Sequence, residues 1–320
     1  MEQPVAYTSW GKIKEVLRIA YTLPFVLASV VGVAFALTVT DQYLLALLIP
    51  LDVLFLALFV NFSNDYFDHK SGVDSLRFSY YDDDPELREE IAKLFNQKVF
   101  WSGNSLDRGI ITETQGRRLM VLLAIAAIII SIPIILLAGW IVVLLGLIAL
   151  ALAFFYTAPP VNLGARGLGE VNVFISFTMI AFFSYFVIVQ EFSWPVLFVS
   201  LAIGGGAMVM RVSDEAPGYP SHVQKGEKNM LVRFGLHNIA KIETMMVVFI
   251  YACVLLAAFF EPFLVLLFLT LPLALRALRM LKIDDRIRLW RPIPQYLKMT
   301  VGLEVLAIIA LIARTVWTSL

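Results

Sequence analysis

The sequence predicts an all-α integral membrane protein of about nine transmembrane helices, and three observations predict it. Of 320 residues, 60% are hydrophobic and only 16% charged, with a mean hydropathy of +0.82. A soluble domain is about half apolar and about a quarter charged. Apolar runs of about 20 residues, the length that crosses a bilayer, recur along the chain. The basic residues gather at one set of span ends.

The runs place spans at 19–39, 43–62, 118–137, 140–157, 169–190, 195–212, 242–260, 263–281 and 300–318. Very short turns join some of them, at Thr40–Gln42, Gly139–Trp140, Gln190–Trp194 and Glu261–Pro262. The other connections, 63–117, 158–168, 213–241 and 282–299, are longer and charged, and they alternate strictly with the short turns. The N-terminus and every long connection therefore share one side. Of the 25 Lys and Arg residues, 24 lie on or next to that side, and only Arg314 lies near the other. Positive charge is retained in the cytoplasm, so the N-terminus and long loops are expected inside. Reading 118–157 as one span would erase this asymmetry, so the run is split.

Net charge is zero, which gives no basis for bulk attraction to nucleic acid. The single cysteine, Cys253, excludes an intrachain disulfide. The N-terminal stretch lacks the short apolar core and small-residue cleavage site of a signal peptide, and the first apolar run is long enough to be a span itself.

The second span runs into Asn61-Phe62-Ser63-Asn64-Asp65-Tyr66-Phe67-Asp68-His69-Lys70-Ser71-Gly72-Val73-Asp74. Asn61, Asp65 and Asp68 stand at i, i+4 and i+7, on one helical face. Carboxylates at a membrane helix end are hard ligands suited to Mg²⁺, which takes one or two carboxylates together with substrate phosphates. The alternative, a span cap against lipid headgroups, suits acidic residues poorly beside an anionic leaflet. The pattern from Asn61 to Asp74 resembles the first aspartate-rich motif of the UbiA superfamily of intramembrane prenyltransferases. It is closest to the MenA-like branch, which prenylates naphthoquinone precursors. Ser102-Gly103-Asn104-Ser105 with Arg108-Gly109-Ile110-Ile111-Thr112 resembles that branch's turn before its third span. Tyr156-Thr157-Ala158-Pro159-Pro160 with Arg166-Gly167-Leu168-Gly169-Glu170 resembles its segment between spans four and five.

The sixth span ends in a second polar cluster, Arg211 to Gly235. Gly226–Gly235 resembles the family's segment after its second aspartate-rich motif. On that alignment the family's two aspartates fall at Gly218 and His222, neither of which is acidic here. Pro217 and Pro220 also argue against continuous helix across the site. Three readings stay open. Asp214 and Glu215 supply the ligands from an altered backbone; or Arg211, Lys225 and Lys228 bind the diphosphate directly; or prenyl transfer is lost and the fold serves another task. A lone loop histidine such as His222 is more often a surface or hydrogen-bonding residue than a ligand, and imidazole suits Zn better than Mg²⁺.

The resemblance implies one UbiA-like domain over 1–320, a single bundle with a central cavity open to the cytoplasmic side. The residues at 75–105 themselves read as a cytoplasmic loop or lid insertion, its helix either interfacial or a lid over the site. The resemblance also implies a prenyl diphosphate donor, a lipophilic or aromatic acceptor, Mg²⁺ as cofactor and membrane lipids as surroundings. Asp65, Asp68 and Asn61 are the expected metal ligands, with Asp214 as a further one. Asn61, Arg166, Arg211, Lys225 and Lys228 are expected at the diphosphate. Tyr156 is expected near the allylic carbon, although it reads equally as an interfacial belt tyrosine. Within the insertion, Asp84-Pro85-Glu86 reads as a helix start, followed by an apolar stripe of Leu87, Ile91, Leu94 and Phe95. Competing functions are terpene cyclisation or head-group prenylation on the same fold, non-catalytic lipid or quinone binding, and transport. Transport predicts polar residues in mid-span, whereas the charges here cluster at one face.

Overall fold

The computed structural model describes residues 8–72, 84–95, 104–158 and 160–319. Val73, Asp74, Ser102, Gly103 and Pro159, and most of the 75–105 insertion, lie outside them. Among the described residues every regular element is a helix. They are α1 (Ser9–Leu17), α2 (Ile19–Leu37), α3 (Tyr43–Ser71), α4 (Pro85–Leu94), α5 (Glu113–Ala138), α6 (Ile141–Phe154) and α7 (Gly169–Val189). After these come α8 (Trp194–Glu215), α9 (Tyr219–Gln224), α10 (Met230–Phe234), α11 (Ile239–Phe260), α12 (Leu271–Met280), α13 (Arg286–Trp290) and α14 (Pro292–Ser319). A 3-10 segment, Pro262–Thr270, leads into α12.

Each predicted span contains helix, but the crossings are not equivalent. Seven described helices are long and apolar enough to cross a membrane, and the bent pair α1–α2 makes eight. The predicted span 140–157 is a helix of 14 residues, about 21 Å at 1.5 Å per residue against a hydrocarbon core of about 30 Å. It stops where the chain turns at Phe155–Ala158 ahead of two prolines. The split of 118–157 is real: Gly139, at φ 90°, separates α5 from α6.

Side-chain contacts support the alternation of faces. Gln190 donates to the Ala138 carbonyl at 3.0 Å, and Arg314 pairs with Glu261 at 2.9 Å, so short turns meet short turns and the last helix end. The long connections likewise meet one another: Arg108 pairs with Glu15, and Arg233 donates to the Arg166 carbonyl at 2.9 Å.

Helix α8 is the centre of the bundle, packed against α7, α11 and α14. Consecutive glycines make this possible. A Cβ on Gly204 would meet Thr178 and the Phe174 carbonyl of α7, one on Gly205 would meet Ile250 of α11, and one on Gly206 would meet Thr300 of α14. Three backbones approach where any side chain would hold them apart, as small residues permit in membrane helix packing.

Polar chemistry is not confined to one face. Asp52 lies mid-span in α3 and Glu304 is fully buried within α14, whereas the buried Glu243 sits at the long-connection end of α11. The Tyr296 hydroxyl donates to Glu243 at 2.8 Å. The sequence-based claim of clustering at one face needs that correction.

Helix α4 has the expected start. Asp84 accepts from the Leu87 amide at 3.0 Å with proline in the first turn. Its apolar stripe is docked: Ile91 and Ala92 pack with Ile287, Trp290 and Ile293, and Arg291 pairs with Glu90 at 2.9 Å.

Candidate active site

Helix α3 carries the first motif well beyond the apolar run. Phe62 and Tyr66 are buried against α5 and its preceding loop, which keeps the polar stretch helical until Gly72. That glycine, at φ 67°, closes the helix by donating to the Asp68 and His69 carbonyls. Neighbouring loops hold the helix end. Asn104 donates to the Asp65 carbonyl at 2.8 Å, His69 Nδ1 meets Asp107 at 2.5 Å, and Lys70 meets Glu113 at 2.5 Å.

The motif's side chains divide between two neighbours. Asn61 donates to the Thr22 hydroxyl at 3.2 Å, and Asp65 pairs with Arg18 at 2.5 Å, both toward α2. Asn64 accepts from Thr157 at 2.9 Å on the other side. Asp68, half-buried, stands one turn beyond Asn64 on the same helical face. Arg18 occupies the left-handed region at φ 48° in the 64° bend between α1 and α2, a conformation unusual for a side-chain-bearing residue. The bend directs its guanidinium to Asp65, which is 2% exposed.

The second cluster forms where α8 ends. Arg211 pairs with Glu215, one turn on, and lies 3.4 Å from Asp214. The chain breaks at Ala216–Gly218 and returns as α9, with Pro220 in its first turn, so the predicted interruption is present. This return buries His222, which is 4% exposed. Its Nε2 meets Glu215 and its Nδ1 meets Glu227, both at 2.6 Å. Asn229 also donates to Glu215, at 3.1 Å. Each histidine contact needs a proton or a cation between nitrogen and oxygen. The ligand atoms of Glu215, His222 and Glu227 lie within 4.8 Å of one another. At Gly218 there is no carboxylate, and its carbonyl accepts from the Ser221 hydroxyl.

Between the two clusters lies a cavity of about 340 Å³. Its walls come from α3, α5, α6 and α7, and most of its lining is apolar. Asn61, Asn64, Tyr156, Asn172 and Arg211 gather at one end. The Arg211 guanidinium stands 5.8 Å from the Tyr156 ring centroid, within cation–π range.

The structure thus brings Asn61, Tyr156 and Arg211 to one cavity. Asp65, Asp68, Asp214, Arg166, Lys225 and Lys228 lie outside its lining. Arg166 is exposed and donates to the Pro160 carbonyl at 2.9 Å. Lys225 is half-exposed and Lys228 exposed. The loops bearing Arg166 and Lys228 touch at Gly167, whose φ is 82° and whose added Cβ would fall 2.0 Å from the Lys228 carbonyl. Sequence reasoning missed Arg18, Asn64, Asn172 and Glu227 as contributors, and it ranked Asp214 over the buried Glu215.

The donor set at the end of α3, two carboxylates and two carboxamides, is hard oxygen and fits Mg²⁺. The set at α8–α9 differs in chemistry: it includes the imidazole of His222, which favours a softer ion than Mg²⁺.

A bundle of long apolar helices around such a cavity, with a carboxylate-rich helix end beside it, is the architecture of an intramembrane prenyltransferase. The model of the UbiA prenyltransferase family matches residues 23–300, and the chain belongs to that family. A 2-carboxy-1,4-naphthoquinone phytyltransferase from Synechocystis sp. is 30% identical over 113 residues, which is 35% of this chain and 37% of that relative. A UbiA homolog from Archaeoglobus fulgidus, bound to DMAPP and Mg²⁺, superposes with a TM-score of 0.62 at 14% identity, over 94% of this chain and 98% of the other. A digeranylgeranylglyceryl phosphate synthase gives 0.59 at 14% identity, with the same coverage. At that identity the likeness is one of fold.

Proposed function

We propose that this chain is a membrane-embedded prenyltransferase. It moves a polyprenyl group from a prenyl diphosphate to a lipophilic or aromatic, quinone-precursor-like acceptor. The observation that carries the reading is the cavity, an apolar chamber whose polar end holds Asn61, Asn64, Tyr156, Asn172 and Arg211. A prenyl diphosphate has the matching form, an anionic head on a long apolar tail.

In this reading the head lies at the polar end. Asp68, Asp65 and the carboxamides of Asn61 and Asn64 would hold Mg²⁺, which neutralises charge on the departing diphosphate. Arg211 donates to the diphosphate from the opposite wall, where a fixed cation stabilises the charge that develops as the allylic C–O bond breaks. The leaving oxygen takes the electron pair. The Tyr156 ring offers its face to the electron-poor allylic carbon, the acceptor's carbon forms the new bond, and the acceptor then loses a proton. The apolar walls keep water away from the allylic cation. Arg166, Lys225 and Lys228 reach the diphosphate only if their loops close over the cavity. The Lys/Arg distribution supports a cytoplasmic location for the N-terminus and this polar end.

The quinone-precursor acceptor is favoured by the motif resemblance and by the phytyltransferase relative. Head-group prenylation is the second reading, favoured by the fold likeness to the digeranylgeranylglyceryl phosphate synthase. The test supplies purified protein with Mg²⁺, labelled prenyl diphosphates, and either a dihydroxynaphthoate or a glycerol-phosphate acceptor. Prenylated naphthoate that disappears with Asp65→Asn and Asp68→Asn supports the first reading. Absence of Mg²⁺-dependent turnover with every donor and acceptor would sink both.

A further inference from the structure

We propose that Asp52, held by Ser131, forms a polar floor in the donor tunnel and limits the length of prenyl tail the protein accepts. This inference rests on the prenyltransferase reading.

The cavity follows α3 from Asn64 down to Ile49, about 22 Å at 1.5 Å per residue. Asp52 lines it near the far end, about 18 Å below Asn64 and one turn short of Ile49 by the same rise. Val53, Leu56, Ile134 and Val187 make the lining mostly apolar; beside Ser131, the hydroxyl of Ser184 also lines the cavity, and it donates to Ser29. An acidic group at this depth is costly in a membrane protein and marks a functional position.

Its surroundings leave it incompletely satisfied. Among the described residues its side-chain partner is Ser131 of α5, whose Oγ lies 3.2 Å from both carboxyl oxygens. That hydroxyl also stands 2.9 Å from the Ala127 carbonyl. One hydroxyl proton cannot serve both acceptors fully, and a carboxyl group offers about four acceptor positions. The unused capacity faces the tunnel. Water in the lower chamber can meet it, but a hydrocarbon tail cannot. A donor whose tail ends above Asp52 leaves that water in place. A longer tail expels the water and strips the carboxyl group of partners, which weakens binding. Asp52 therefore discriminates among donors by their terminal isoprene units, far from the bond that breaks.

The experiment measures kcat/KM for geranyl, farnesyl, geranylgeranyl and solanesyl diphosphates with one acceptor. It uses the full-length protein in three forms: wild type, Asp52→Leu and Asp52→Asn. Equilibrium binding of the same donors is measured in parallel, so that length preference is read without catalysis. Wild type is expected to favour a tail of limited length. Asp52→Leu, similar in size, is expected to raise the long-to-short ratio by about tenfold or more, mainly through donor affinity. Asp52→Asn keeps a polar floor and is expected to keep the wild-type ratio. A ratio unchanged in Asp52→Leu, or rates that fall equally for all donors, overturns the proposal while the prenyltransferase reading stands. A wild type that neither binds nor turns over any donor overturns both.

Discussion

Arg18 and Asp65, 47 positions apart, form an ion pair at 2.5 Å with the carboxylate buried and the guanidinium partly exposed. The pair joins the bend between α1 and α2 to the first motif, so the N-terminal helix is fastened to a residue that the proposed chemistry assigns to the metal. In the structure a protein cation stands beside Asp65. In the proposed reading, Mg²⁺ bound with the donor would take over part of that role.

Arg18→Gln should therefore destabilise the metal-free protein more than the loaded one. Breaking a buried pair leaves an uncompensated carboxylate, although the exposure of Arg18 reduces the loss to about 1–2 kcal/mol. The melting temperature of the variant should recover toward wild type when Mg²⁺ and a donor analogue are added. An equal deficit in both states would separate Arg18 from the metal site.

At the second cluster, Arg211→Met should lower kcat/KM by about tenfold to a hundredfold, the worth of one charge-assisted hydrogen bond of about 1.5–3 kcal/mol. Glu215→Gln should act in the same direction but more weakly, because Arg211 loses its anchor and keeps its charge. Steady-state kinetics on detergent-solubilised protein check both. Normal kinetics in Arg211→Met would remove it from the diphosphate.

His222→Asp restores an acidic residue where the family alignment expects one. It places a third carboxylate beside Glu215 and Glu227, which repel one another without a cation. The variant should be less stable without metal and should regain stability as Mg²⁺ is added, with half-maximal stabilisation at a lower Mg²⁺ concentration than any response of the wild type. A Mg²⁺ titration followed by thermal unfolding reads this out. Indifference to Mg²⁺ would show that three carboxylates at this position do not share a cation.

Ile91→Asp should undock α4. Ile91 is fully buried against Ile287, Trp290 and Ile293, and a carboxylate there has no partner of opposite charge in that apolar cluster. Limited proteolysis should then cut near 84–95 while the bundle stays folded. If the insertion acts as a lid, turnover should fall with it, and unchanged turnover would exclude that role.

Much of this was legible in the sequence because bilayer crossing imposes length and polarity on each segment. The alternation of short turns and charged connections, and the motif around Asn61–Asp68, needed no tertiary information. What escaped depends on packing. The spacing of Asn61, Asp65 and Asp68 implied helix through Asp68, but not the burial of Phe62 and Tyr66 by a loop from far along the chain. Arg18 reads locally as a basic residue at a span edge, and only the bend reveals its target. His222 reads as a loop residue until the break at Ala216–Gly218 folds it under α8. Two signals were available and overlooked. Arg211 has an acid at both i+3 and i+4, so the spacing marks Glu215 as much as Asp214, and a lone acid in an apolar run, Asp52, is itself a flag.

The central claim is that the first motif and Arg211 serve one donor headgroup from opposite sides of one cavity. Equilibrium binding of a non-hydrolysable prenyl diphosphate analogue, with and without Mg²⁺, tests it most directly. The proteins compared are wild type, Asp68→Asn, Arg211→Met and the double variant. The account predicts Mg²⁺-dependent binding, weakened in each single variant, with a double-variant loss that differs from the sum by at least about 0.5 kcal/mol because both residues act on the same ligand. Binding that ignores Mg²⁺, or losses that simply add, would contradict it.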